Sequence, residues 1–197
     1  MLYTVYTAEW RITMKKLYAI LASVALVASM SACGKNTKVP DVSELEKIAP
    51  DQLVTVEAVS TITGIDMEVD ENGVTTDGNA SSVTYVSKTA YSGDPVTIRI
   101  EQFSESLTTT QVWNDYENSR IYRGDMEFIE GIGEDCYIAY PYINVYDRGC
   151  YIRISAGSGD DADQRELLET LASIAAGEVE RVIPQETYDM ATSNVIK

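Results

Sequence analysis

Cys136 and Cys150 are the two thiols in the body of the chain, and strand parity decides what chemistry they can share. Alternation places Cys136 with Ile138 and Tyr140, and Cys150 with Ile152 and Ile154, so both sulfurs are expected in one core. Two outcomes stay open. A bridge would close a loop of about 15 residues and contribute about 3 kcal/mol through chain entropy. A strand between the two cysteines would instead hold their Cα atoms beyond the reach of about 7 Å, leaving two buried free thiols. Redox catalysis is not expected, because the chain has no Cys-x-x-Cys motif.

The chain has no histidine. Ser-His and Cys-His nucleophile pairs and every histidine-containing zinc site are therefore excluded. A carboxylate-based hydrolase would have to use Glu134 and Asp135, the one acid pair beside an extended run, yet neighbouring residues on a strand point apart. No catalytic residue and no cofactor are expected. A binding surface has better material: Tyr137 and Tyr151 fall opposite the cysteine face, which places them, with Arg153, on the exposed side of the sheet.

One acidic segment invites a metal. With Glu68 at position one of a calcium loop, Asp70, Asn72 and Gly73 occupy positions three, five and six. Position twelve is then Asn79, where a bidentate glutamate is required. A calcium-responsive structural module is the alternative this segment supports; a solvated β-turn explains Asp-Glu-Asn-Gly without a metal. The loop Gly157-Ser158-Gly159 lacks a basic phosphate partner.

The N-terminal region carries a different kind of chemistry. Lys15 and Lys16 precede an apolar run from Leu17 to Met30, and Ser31-Ala32-Cys33 follows. About 14 residues at 1.5 Å each reach roughly 21 Å, too short for a hydrocarbon core of about 30 Å. The segment resembles a bacterial lipoprotein signal peptide whose lipobox reads Met30-Ser31-Ala32-Cys33. The resemblance implies cleavage before Cys33 and diacylglycerol on its thiol, which would tether the chain to the cell membrane on the extracytoplasmic face. Residues 1–13 read as an upstream extension, 14–32 as the signal peptide, 33–50 as a tether, 51–183 as a single domain and 184–197 as a flexible tail.

Charge narrows the partners further. The whole chain has 15 basic and 31 acidic residues; without Glu9, Arg11, Lys15 and Lys16 it keeps 12 against 30, a net charge of −18. So acidic a surface repels nucleic acid, which is excluded as a partner. An envelope protein or an exported ligand remains. The roughly 165 residues after cleavage suffice for one domain with its own core.

The elements that must position these residues are legible in the pattern. Ser43 and Glu46 have capping-box spacing, with Pro50 limiting any helix there to two turns. Thr55 suits an N-cap and Gly64 a left-handed end, bracketing a helix with Val56, Val59 and Ile62 on one face. Alternation predicts strands over 82–87 and 95–101; a helix over 109–119 puts Val112, Trp113 and Tyr116 at core spacing. Extended runs follow over 136–140, 143–146 and 150–155, with a hairpin turn at Asp147-Arg148-Gly149. A last helix, capped at Asp163, carries Leu167, Leu168, Leu171, Ile174 and Ala175 before Gly177.

That order predicts an α+β fold, an antiparallel sheet with helices packed on one face. Thr63-Gly64, the Gly131-x-Gly133-Glu134-Asp135 turn into a tyrosine-rich strand, the Gly149 hairpin and the leucine-rich last helix together resemble small uncharacterised Gram-positive lipoproteins with a PsbP/Mog1-like fold. The resemblance covers roughly Thr55 to Val182. It implies a non-catalytic binding or accessory role in the cell envelope and supplies no catalytic residue.

Overall fold

The computed structural model describes residues 47–89, 93–104, 106–121 and 125–193. The leader, Cys33, the Ser43 to Glu46 spacing and the last four residues lie outside the described residues. Thirteen elements follow in the described chain: α1 (Pro50–Leu53), α2 (Val56–Thr63), β1 (Met67–Val69), β2 (Thr75–Asp77), β3 (Ala80–Ser87), β4 (Val96–Gln102), α3 (Thr109–Ile121), β5 (Glu127–Phe128), β6 (Asp135–Ala139), β7 (Tyr142–Asp147), β8 (Cys150–Ala156), α4 (Ala162–Val182) and α5 (Gln185–Ser193).

The eight strands form one antiparallel sheet in the order β1-β3-β4-β8-β7-β6-β5, with β2 also paired to β3. The fold is α+β, as the alternation predicts. Val96, Ile98 and Ile100 of β4 stand opposite Ala156, Ile154 and Ile152 of β8, and all six are buried. The same face continues through Val83 and Tyr85 on one side and Ile143, Val145, Cys136 and Ile138 on the other. This is the apolar face. Helix α4 packs on it with Leu168, Leu171, Ala172, Ala175 and Val179, each fully buried at helical spacing. The N-terminal helices are tied in by the Tyr85 hydroxyl, which donates to the carbonyl of Val54 at 2.7 Å.

The helices are divided between the two faces and not gathered on one as the element order predicts, because the aromatic phase of β6, β7 and β8 also needs cover. Helix α3 crosses the opposite side of the sheet over β8, β7 and β4, where Tyr116 meets residues that alternate with the apolar set. Among the described residues no helix is long and apolar enough to cross a membrane.

Several boundaries depart from the pattern reading. Asp161, not Asp163, caps α4, its carboxylate accepting from the Gln164 amide at 2.9 Å. The helix also runs on through Gly177 to Val182: a mid-helix glycine costs only about 1 kcal/mol, and burial of Ala176 and Val179 around it outweighs that. The tail expected to be flexible instead begins with α5, whose Tyr188 packs edge-on against Phe103 at 5.8 Å. Pro50 opens α1 rather than merely ending an earlier turn, since its fixed φ and missing N–H suit a first helical position. Helix α2 keeps its expected ends, with Thr55 accepting from Ala58 and Gly64 at φ 70°.

The β7–β8 hairpin turns through Arg148 (φ 45°) and Gly149 (φ 72°), the paired left-handed conformation of a two-residue hairpin. Gly149 is required twice, because a Cβ there would also stand 2.5 Å from Phe103 Cδ1. The Arg148 guanidinium donates to the carbonyls of Glu180 (3.0 Å) and Ile183 (2.7 Å), so the turn satisfies the exposed carbonyls at the end of α4. Beside it Asp147 is buried with one carboxylate oxygen lacking a hydrogen-bond partner. Burial pushes its pKa from 3.8 up to about 6, against the pull of Arg148, with Glu134 and Glu180 adding repulsion.

A raised folded-state pKa means that the native protein holds this proton more tightly than the unfolded chain does. The stability contributed is present below about pH 4, falls as pH rises through about 6 and is flat above. At roughly 1.4 kcal/mol per pH unit the loss is about 3 kcal/mol. Asp147→Asn is therefore expected to stabilise the protein at pH 7 by up to about 3 kcal/mol and to leave it unchanged near pH 4, measured by denaturant melts at both pH values.

Candidate functional site

The second face of the sheet is polar where α3 leaves it open. Along β4 and β8 it carries Thr97, Arg99 and Glu101 opposite Ser155, Arg153 and Tyr151. Helix α3 roofs one end. Its buried side, Val112 and Tyr116, seats on the sheet, and its next residues, Asp115, Asn118 and Ser119, face a groove of about 590 Å³ completed by Arg99, Glu101, Tyr151 and Arg153.

A tyrosine pedestal holds the helix there. The Tyr116 ring lies 5.3 Å from that of Tyr137, 5.8 Å from Tyr146 and 5.6 Å from Tyr151, and Trp113 meets Tyr146 edge-on at 4.8 Å. Each such aromatic pair adds about 0.5–1.5 kcal/mol beyond area burial. The Ser119 hydroxyl makes a short hydrogen bond with the Tyr137 hydroxyl, and the Tyr151 hydroxyl donates to Asn144 Oδ1 at 2.9 Å inside the protein.

The sequence-derived binding surface is corrected here. Tyr137 and Tyr151 do lie opposite the cysteine face, but they are 1% and 3% exposed, because α3 covers them. Tyr137 supports the site from below, and Tyr151 contributes only a sliver of surface to the groove floor. Arg153 alone of the three reaches the groove as a charged group, and Arg99 stands directly opposite it. The signal was present in the alternation, since Arg99 and Arg153 both occupy the polar phase of adjacent strands; the missing information was that β4 and β8 pair.

Two guanidinium side chains on opposed residues repel. Arg99 is offset by Glu101, whose carboxylate is 3.6 Å away, and Arg153 lies over the Tyr142 ring at 4.3 Å. Arg153 has no ion pair among the described residues, and its buried Nε has no hydrogen-bond partner. Burial raises the pKa of Glu101; Arg99 opposes that rise, and the Asp115 carboxylate beside it reinforces it.

The other chemical candidates are dispersed. Cys136 and Cys150 are both buried and free, so the disulfide does not form. They share the apolar face, as parity requires, but β7 separates their strands and the register sets them two residues apart along it, roughly 12 Å in all. Burial pushes the Cys136 thiol up to about 12 and the Cys150 thiol well above its ordinary value, so neither is a nucleophile. Glu134 accepts from the Arg148 amide at 3.3 Å while Asp135 pairs with Arg120 at 3.6 Å, so this acid pair is not assembled around a common centre. Glu68 projects from β1, and Asp70 Oδ1 accepts from the Asn72 amide (2.9 Å) and side chain (2.5 Å), closing a turn on itself before Gly73. Among the described residues no group of three or more Cys, Asp or Glu side chains could hold a metal ion.

Two measurements check these assignments. Cys136 and Cys150 are expected to resist alkylation in native protein and to label fully in denaturant, read by peptide mass spectrometry. Tyr116 carries a buried hydroxyl without a partner, so Tyr116→Phe is expected to hold or raise the melting temperature, whereas Tyr116→Ala loses about 3–5 kcal/mol in a denaturant melt.

Comparison with protein-family models, curated proteins and solved structures finds no match to this chain.

Proposed function

We propose that this protein is a lipid-anchored extracytoplasmic lipoprotein with a non-catalytic binding role in the cell envelope, akin to the small Gram-positive lipoproteins its motifs resemble. The anchor reading is supported by Lys15-Lys16, the apolar run to Met30 and Cys33 after two small residues. The observation that carries the binding reading is the groove under α3. A stacked but unpaired guanidinium faces a cleft of about 590 Å³ in a chain of net charge −16. In such a protein two neighbouring arginines in one groove stand out against the general field, although Glu101 and Asp115 share the lining. Its rim offers a partner or exported ligand polar groups from two strands and one helix.

Both halves are testable together in cells. Wild-type protein should fractionate with membranes and carry an acyl-modified Cys33 in mass spectra, while Cys33→Ser should be unacylated and released from the membrane. An unmodified wild-type chain in the cytosol would sink the anchor. Envelope proteins cross-linked to the wild type and lost in an Arg99→Gln, Arg153→Gln double variant would support the groove as the binding surface; unchanged capture would refute it.

A further inference from the structure

The groove is ordered by charge along the strand direction, and that order is specific enough to name a ligand class. Arg99 and Arg153 form one cross-strand row, and Glu101 lies two residues further along β4, in the row shared with Tyr151. Two residues of antiparallel strand cover about 7 Å. Asp115 descends from α3 on the Glu101 side, so a basic end and an acidic end face one cleft.

Arg153 has no carboxylate partner among the described residues, whereas Glu101 already contacts both Arg99 and Asp115. Arg153 rests on an aromatic face and keeps its guanidinium N–H groups free of any carboxylate among the described residues. The Arg99 to Glu101 contact at 3.6 Å is an ion pair longer than a good charge-assisted hydrogen bond. Glu101 is 8% exposed and lies against a second acid, an arrangement that a cation placed between them would relieve. An anion alone would satisfy the arginines and aggravate the acids; a cation alone would do the reverse.

We propose that the groove binds a small zwitterion of the dipeptide class, its carboxylate on the guanidiniums of Arg99 and Arg153 and its ammonium on the carboxyls of Glu101 and Asp115. The Arg99 guanidinium and the Glu101 carboxylate approach to 3.6 Å, and an extended two-residue peptide, at most about 7 Å long, is long enough to reach both from the open side of the groove. Asn118 and Ser119, on the helical wall between, supply polar groups for the central peptide bond. This assignment rests on the groove being the binding site and names what enters it.

Titration calorimetry of the purified full-length chain with alanyl-alanine, its N-acetyl derivative and its C-terminal amide tests both ends separately without any mutation. Alanyl-alanine is expected to bind, and each blocked compound to bind at least about tenfold more weakly, since each loses one charge-assisted contact. Arg153→Gln should lower alanyl-alanine to the level of its amide, and Glu101→Gln to that of its N-acetyl form. Binding of all three wild-type ligands within about twofold of one another, or of none at millimolar concentration, overturns the proposal. The calorimetry does not depend on acylation or on cellular partners, so its failure removes the ligand class and leaves the anchor to its own test.

Discussion

Seating of the Tyr116 ring among Tyr137, Tyr146 and Tyr151 is the interaction on which the second face of this sheet depends. An antiparallel sheet can leave one face to water, and β3 and β4 do so, with Thr84 and Thr97 hydrogen-bonded across them at 3.1 Å. At the β7 and β8 end the same phase is aromatic, which water does not favour. Helix α3 has few apolar residues to offer and no pronounced apolar stripe. Its attachment is concentrated in Val112, Trp113 and Tyr116, of which Val112 and Tyr116 are fully buried. Where that aromatic contact ends, the polar residues of the helix and the sheet face one another across the groove.

The two faces thus perform different physical tasks. On one, aliphatic residues of β7 and β8 meet the leucines and alanines of α4 and those of β3 and β4 meet α1, with Cys136 and Cys150 serving as small apolar fillers. On the other, tyrosines tolerate partial polarity: the Tyr151 hydroxyl finds Asn144 and the Tyr137 hydroxyl finds Ser119, so aromatic packing extends to the row next to the two arginines. Holding Arg99 beside Arg153 is unfavourable in isolation, and nearby aromatic and acidic groups moderate it without cancelling it.

What could be read from the residues follows from how local each signal is. The strand from Val96 and the leucine-rich helix α4 declare themselves through periodicity, and the Arg148-Gly149 turn through its backbone demands, because each depends on near neighbours alone. Three-residue strands such as β1 and β2 are too short to show a period, and they fall in the segment that looked like a metal loop. The phase of Tyr137 and Tyr151 was legible, but their burial was not, since it follows from where α3 lands. The same holds for the arginine row and for the two thiols: parity assigns the face, while only strand order tells which residues on that face are neighbours.

The sheet borders carry a further consequence. At one border stands β5, two residues long; at the other, the outer edge of β3 is shared between β1 and β2, three residues each and interrupted by the turn at Asp70 to Gly73. Neither offers a long run of unpaired amides on which another molecule's strand could lie. Copies crowded side by side would find little backbone to zip together, so contact between them falls to side chains, and across so acidic a surface those side chains repel.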